Sequence, residues 1–411
     1  MPDRPEPLAK LDARIDFPQW KDNSEETRMG GYLEVEYENN YTANKTEWDF
    51  HYSNVRDATF THMLNYFEKI KPHGESVIAV LGPGTDPANR DLGHSLLHTP
   101  FAEARGVLLV DSNAYACKEA YRSVMNKHGL QEDRVQGVKV DLSQGMTIPY
   151  AHILGESVGV AQSEDELLDA TLKLLEGGNF MDKVVQKLDE MVREQMTRYH
   201  AILGGDRDDV VDPLPRPLTA GKQPVNVDLF LSSMLYSGMG AAVESRLFWR
   251  NFVYLAEEAD SVRRPDSRTL DVRAEIIKNM HKIITAFGTE MAFMVNKWAI
   301  DNNDDARVIG ISDVSTIYDY DLDGRLEDMA LSRIDPTLVA SKLAEHGISF
   351  KQSVLPHMTW DWCDQKGKFA HRHPIQVFTA KKIKRGSTDS LANGSGQDSG
   401  ITPREDVLVT S

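Results

Sequence analysis

Between Ser76 and Ser143 three short apolar runs alternate with helical stretches, and nothing else in the chain constrains its fold so strongly. Val77-Ile-Ala-Val-Leu81 reads as a buried strand that enters the sharp turn Gly82-Pro-Gly84-Thr-Asp-Pro87 and then a helix to about Leu97. Val107–Val110 reads as a second buried strand, closed by Asp111 and followed by a helix from Ala114 to Lys127. Val135–Val140 reads as a third, closed by Asp141. Strands that are apolar throughout and separated by helices specify a parallel sheet covered on both faces. The expected fold class is therefore α/β.

The flanks are organised differently. Residues 1–25 are Pro-rich and charged and read as a flexible arm. Residues 26–75 hold an aromatic, acidic stretch with Tyr32, Tyr37, Tyr41, Trp48 and Tyr52, then a helix over 58–70 marked by Phe60, Met63, Leu64 and Phe67. The domain proper is expected over 76–385, with an insertion at about 144–226 forming a helical cap. That insertion contains helical material from Asp165 to about Leu203 and a Pro-rich linker, Asp212–Pro224. The sheet resumes at Val227–Leu231. Helical material follows over 242–258 and again over Leu270–Ala299, where Gly288 leaves one long helix or a helix and a strand both open. Arg307–Ser312 reads as a strand and Pro336–Glu345 as a helix started by Asp335. Ile348–Leu355 and Gln376–Ala380 read as a closing antiparallel pair. The Ser/Gly/Asp-rich residues 386–411 read as a disordered tail.

Charge and composition exclude several classes of function. The 46 Lys and Arg against 63 Asp and Glu give a formal net charge of −17, the wrong sign for an electrostatic grip on nucleic acid. The dense basic cluster, Lys381, Lys382, Lys384 and Arg385, reads as a solvated strand end. The two cysteines, Cys117 and Cys363, lie far apart, so neither a disulfide framework nor a zinc site is expected and no metal is assigned. Neither a leader-type apolar core nor a membrane-length apolar run is seen, and a cytoplasmic location without membrane contact is the expectation.

Ligands of open α/β sheets sit beyond the carboxyl ends of the strands. Gly82 and Gly84 suit a turn whose backbone N–H groups approach a ligand closely. Asp111, ending the second strand, is placed to accept hydrogen bonds from ribose hydroxyls. Asp141, ending the third, is placed to accept from an adenine amino group, with the Leu142 N–H beside it. In these features Val77–Asp86, Val107–Asn113 and Val138–Leu142 resemble the first three signature motifs of the class I methyltransferases, and Val227–Tyr236 resembles a weaker fourth. The resemblance implies a Rossmann-like seven-stranded sheet, mostly parallel with an antiparallel last strand, and S-adenosyl-L-methionine as cofactor. It assigns Gly82 and Gly84 to the glycine loop, Asp111 to the ribose and Asp141 to the adenine.

Two positions depart from the family pattern. Val80 stands where an acid is usual, and Asp86 where glycine is common, so that Asp86 is read either as the partner of the methionine ammonium or as a turn cap. A nicotinamide dinucleotide fits less well, because Pro87 replaces the third glycine of its fingerprint. A P-loop is absent, since no Gly-Lys-Ser/Thr follows the turn.

On the acceptor side, Ser232, Ser233 and Tyr236 follow the fourth strand and are candidates to line a substrate pocket. The aromatic stretch, Tyr41 included, is read either as a lid over cofactor and acceptor or as packing for the first helix. His357, on the loop of the closing strand pair, is the candidate general base, with a plain surface histidine as the alternative. The helical stripes are read as core or homodimer packing, and His200 and His281 as structural or exposed. The function expected is methylation of a small-molecule acceptor at oxygen or nitrogen. The rivals are another group transfer on the same cofactor, or a non-catalytic helical interaction subunit.

Overall fold

The computed structural model describes residues 58–59, 61–63, 65–66, 69–71, 75–83, 104–111, 120–125, 134–139, 142, 161–176, 181–184, 186–187, 190, 219–220, 223–224, 226–233, 235, 255, 266–313, 334–363 and 369–383. Seven strands form one sheet: β1 (Val77–Leu81), β2 (Gly106–Asp111), β3 (Val135–Lys139), β4 (Leu229–Ser233), β5 (Arg307–Asp313), β6 (Ile348–Cys363) and β7 (Phe369–Lys382). Their order is β3-β2-β1-β4-β5-β7-β6. Neighbours pair in parallel from β3 to β5, whereas β7 runs antiparallel to both β5 and β6. Thus β7 alone is reversed, and it is last in the chain, as the resemblance implies. Two further two-residue strands, Thr219–Ala220 and Gln223–Pro224, pair separately within the insertion.

Alternation along each strand sorts side chains into two layers. Val77, Ala79 and Leu81 of β1 share one core with Phe230, Phe378 and the sheet-facing residues of two helices. Ile78 and Val80 belong to the other, with Ala58, Met63, Tyr66, Ala120 and Val124. All five residues of β1 are buried, which is why no polar side chain interrupts its sequence.

Helices α1 (Glu164–Glu176), α2 (Ser267–Asn302) and α3 (Pro336–Glu345) are defined in full. The stripe over 270–299 proves to be one continuous helix that passes through a buried Gly288. Asp266 caps it, accepting from Thr269 N at 2.8 Å, and that backbone bond holds the Asp266 carboxyl below its usual range. The 36 residues of α2 span about 54 Å, more than twice the reach of β5 at roughly 24 Å. Only its C-terminal part covers the sheet, through Ala292, Val295, Trp298, Ala299 and Ile300. Trp298 meets Phe230 edge-on at 5.6 Å. Its N-terminal part instead holds α1: Arg273 pairs with Glu164 at 2.7 Å, both largely buried, and Asn279 donates to Thr171 at 3.4 Å. Helix α3 begins as its sequence requires, with Asp335 accepting from Thr337 N and Leu338 N and Pro336 in its first turn. Lys342 ties it to Glu290 of α2.

Helix α1 ends at Glu176, and within the helical material expected to about Leu203 residues 181–184, 186–187 and 190 are also helical. One expectation needs correction. The closing pair is longer than 348–355 and 376–380, because Pro356 falls in an irregularity between Leu355 and Thr359 and Pro374 still pairs with Thr359. The arm, the aromatic stretch with Tyr41, His200, residues 242–254 and the 386–411 tail lie outside the described residues. Among the described residues no helix is long and apolar enough to cross a membrane.

At the amino ends of β1 and β4 a single side chain joins strands far apart in sequence. Asp228 accepts from Val77 N at 2.9 Å and from Lys71 Nζ at 2.7 Å. Its own carbonyl accepts from the Tyr66 hydroxyl at 3.4 Å, and burial, with Asp228 close by, pushes that phenol up to about 12. Replacing Asp228 by Ala strands the buried Val77 N–H and removes the charge that Lys71 meets. Asp228→Ala is expected to cost about 2–4 kcal/mol, measured as a lower urea midpoint at unchanged slope; a loss below ~0.5 kcal/mol would contradict this role.

Candidate functional site

The strand order reverses at β1, with β2 on one side and β4 on the other, so the crevice for a ligand opens between the carboxyl ends of β1 and β4. Gly82 leaves β1 in the left-handed region at φ +61°, its N–H donating to Val110 O of β2 at 2.8 Å. A side chain here is disfavoured twice over. The backbone angle disfavours L-residues, and a Cβ would stand 2.8 Å from Leu235 Cδ1, just after β4. The glycine turn and the start of the segment after β4 are therefore in direct contact across the crevice.

Asp111 ends β2, one position beyond the Leu81–Val110 pair, level with Gly82 and opposite Lys139 of β3. Its side chain is half-buried, so a carboxylate lies at the strand tip nearest the glycine turn. Leu142 is buried in the same core as Leu81, Val110 and Val138. Gly84, Asp86, Asp141 and Tyr236 lie outside the described residues, as does the side chain of Ser233, whose backbone pairs with Ile311.

Ser232 pairs with Leu81 on one side and Gly310 on the other, so it stands at the carboxyl end of β4 beside the glycine turn. Its side chain is 1% exposed, and its hydroxyl has no hydrogen-bond partner among the described residues. Val80, where an acid is usual in the family, is fully buried in the layer that holds Leu109 and Leu231. The departure is thus a core residue, and an acid there would need a partner which that layer's apolar side chains do not offer.

His357 does not lie on a loop: it sits within β6, in the irregular stretch between Leu355 and Thr359. In the strand order it belongs to the edge strand, separated from β4 by β5 and β7. His281 is buried on α2, in keeping with a structural reading. Leu235 escaped the sequence reading, because only the positive φ at Gly82 reveals what the residue packs against.

A cavity of about 490 Å³ opens between the starts of α1 and α2, lined in part by Glu164, Asp165, Asp266 and Arg268. From Val272 on its wall to Ala292 over the sheet is roughly 30 Å along the helix, so this cavity is separate from the crevice. Among the side chains described, no group of three His, Cys, Asp or Glu is arranged to hold a metal ion.

Seven strands in this order, with the last alone reversed and a glycine turn at the switch point, define the Rossmann-like class I methyltransferase fold. No protein-family profile matches the chain, and no curated protein matches it in sequence. Several solved structures are similar at low identity. The YcgJ protein of Bacillus subtilis is 9% identical over 80% of this chain and 100% of its own, with a TM-score of 0.33. The plantazolicin methyltransferase BamL, solved with a triazolic desmethylPZN analog and SAH, is 10% identical over 89% and 94%, with a TM-score of 0.32. A putative RNA methyltransferase of Pyrococcus horikoshii is 11% identical over 80% and 85%, with a TM-score of 0.27. Superpositions this loose transfer neither site nor substrate, and the fold assignment stands on the strand order.

Two substitutions probe the crevice. Gly82→Ala is expected to destabilise by about 1–3 kcal/mol. Combined with Leu235→Ala in a double-mutant cycle it should show a favourable coupling, because the shortened leucine relieves the contact and leaves the backbone strain; additive losses would show that the two residues do not meet. Ser232→Ala is expected to keep or raise stability by up to ~1 kcal/mol, since a buried hydroxyl without a partner costs free energy. A fall of that size in chemical denaturation would mean the hydroxyl is engaged within the chain.

Proposed function

We propose that this chain is an S-adenosylmethionine-dependent methyltransferase acting on a small-molecule acceptor. The observation that carries the reading is the level placement of a left-handed glycine and a half-buried strand-end carboxylate at the switch point of this sheet. Gly82, with Gly84, lets the backbone approach the cofactor. Asp111 accepts from both ribose hydroxyls, Asp141 accepts from the adenine amino group, and the Leu142 N–H donates to the ring; the burial of the Leu142 side chain leaves its backbone for that task. Asp86 serves the methionine ammonium. When bound, the cofactor supplies a methyl group already activated on a sulfonium, so the protein's work is alignment and exclusion of water.

The acceptor belongs at the tips of β4 and β5, where Ser232, Ser233 and Tyr236 follow the strand, with Tyr41 in the aromatic stretch as a lid residue. A small molecule is favoured over nucleic acid by the net charge of −17. His357, on the β6–β7 hairpin, serves as the general base where the acceptor needs one.

Calorimetry with S-adenosylmethionine and its demethylated product tests the cofactor. Both should bind the wild type, and Asp111→Ala should weaken them by about tenfold or more, the loss of one or two charge-assisted hydrogen bonds at roughly 1.5–3 kcal/mol each. Unchanged affinity in that variant would overturn the ribose assignment. A metabolite screen with labelled methyl cofactor then separates methyl transfer from other group transfer on the same nucleoside.

A further inference from the structure

On the face of the sheet that α2 covers, the apolar pattern stops short of the carboxyl ends. Leu81 of β1, Phe230 of β4, Val308 of β5 and Phe378 of β7 belong to that layer. Alternation carries Ser232 to the side of Phe230, since Leu229 and Leu231 belong to the opposite layer. By the same parity Gly310 and Ser312 share the side of Val308, with Ile309 and Ile311 opposite. Gln376 shares the side of Phe378, with Ile375 and Val377 opposite. The pairing across these residues is unbroken: Leu81 with Ser232, Ser232 with Gly310, Ser312 with Gln376. Ser232, Ser312 and Gln376 therefore form a polar row at the strand tips.

Helix α2 runs over this layer toward the same tips. Its C-cap, Asn303, donates to Val227 O at 3.2 Å, at the amino end of β4, and Trp298 meets Phe230. The turns before Trp298, with Val295 and Ala292 in the same layer, thus lead toward the carboxyl ends.

A layer that only needed filling would be apolar here. Each of the three polar side chains is at most 1% exposed, and burying a polar group costs free energy unless it is hydrogen-bonded. Gln376 offsets that cost, its Oε1 accepting from Gln352 Nε2 at 2.6 Å. Ser232 does not. Its hydroxyl has no partner among the described residues, and its neighbour on β5, Gly310, offers no side chain. A buried hydroxyl left in this state calls for a functional explanation.

The row lies wholly on one side of the switch point. The ribose carboxylate of Asp111 is on β2, whereas Ser232, Ser312 and Gln376 are on β4, β5 and β7. None of the three side chains ionises. A carboxylate or ammonium buried against them would need a paired charge, while a hydroxyl, phenol or amide needs only a hydrogen bond.

We propose that the Ser232 hydroxyl hydrogen-bonds a neutral hydroxyl or carbonyl group of the acceptor, and so selects uncharged acceptors over carboxylates and amines. The proposal rests on the methyl-transfer reading for the acceptor as substrate, but the subsite is probed without turnover.

The test titrates the full chain, wild type and Ser232→Ala, by ligand-observed NMR. Phenol, benzyl alcohol and benzamide are the neutral probes, benzoate and benzylamine the charged ones. Neutral probes should bind the wild type, and Ser232→Ala should weaken them about three- to tenfold, the net worth of one neutral hydrogen bond. The urea midpoint of the variant should not fall, which separates a lost ligand contact from a lost internal one. Benzoate and benzylamine should bind the wild type roughly tenfold or more weakly than phenol. Neutral probes that do not bind, that bind both proteins alike, or that are matched by the charged ones would overturn the proposal. A lower urea midpoint in Ser232→Ala would overturn it too, because the hydroxyl would then be engaged within the chain. Calorimetry with S-adenosylmethionine reads the cofactor separately. No heat there, with phenol still dependent on Ser232, would remove the methyl-transfer reading and keep the subsite; the opposite pair of results would keep the reading and remove the subsite.

Discussion

Everything at the crevice depends on β1 lying beside β4, a pairing between segments about 150 residues apart. Parallel strands this distant gain nothing from a tight turn and must be held by what they bury and by specific polar contacts. Asp228 provides such a contact, its carboxylate on Val77 N and its backbone next in line to the strand it introduces. With the amino ends fixed, the register carries Leu81 to Ser232 and so delivers Gly82 to the edge of Leu235. A slip of one residue would turn Phe230 and Ser232 to the opposite layer and expel Phe230 from its place against Trp298.

Helix α2 extends this order outward. Its C-terminal part is packed on the sheet, while its N-terminal part has α1 on one side and Arg273 paired to Glu164. The sheet and α1 thus share a single continuous rod, with Thr289 accepting from Asp335 N and Glu290 meeting Lys342 where α3 braces it.

The sheet was legible because each strand announces itself locally. Val77–Leu81, Val107–Val110 and Arg307–Ser312 are apolar runs closed by turn or acidic residues, and Asp335-Pro336 marks a helix start by two independent signals. The candidate site was legible to the same extent: Gly82 and Asp111 stand at strand ends, and Ser232 lies at the tip of β4. What stayed hidden rests on tertiary context. Gly288 is a helix breaker by propensity, yet burial against neighbours keeps α2 unbroken. Pro356 and Pro374 remove ladder donors, but an irregularity absorbs the first and the second still finds a cross-strand partner, so the pair runs past the expected bounds and His357 lies within β6. Leu235 was invisible for a different reason, since a contact across the crevice has no sequence periodicity at all.

One feature of the hairpin bears on solubility. Among the described residues strand β6 closes the sheet with β7 as its neighbour, and an edge strand presents backbone groups to which another chain can pair. Lys351, Gln352 and Ser353 are exposed along this strand, and the ladder is dislocated between Leu355 and Thr359. A charge set among polar residues and a break in flatness are what discourage strangers from adding an eighth strand, so the same kink that displaces His357 also guards the border of the sheet.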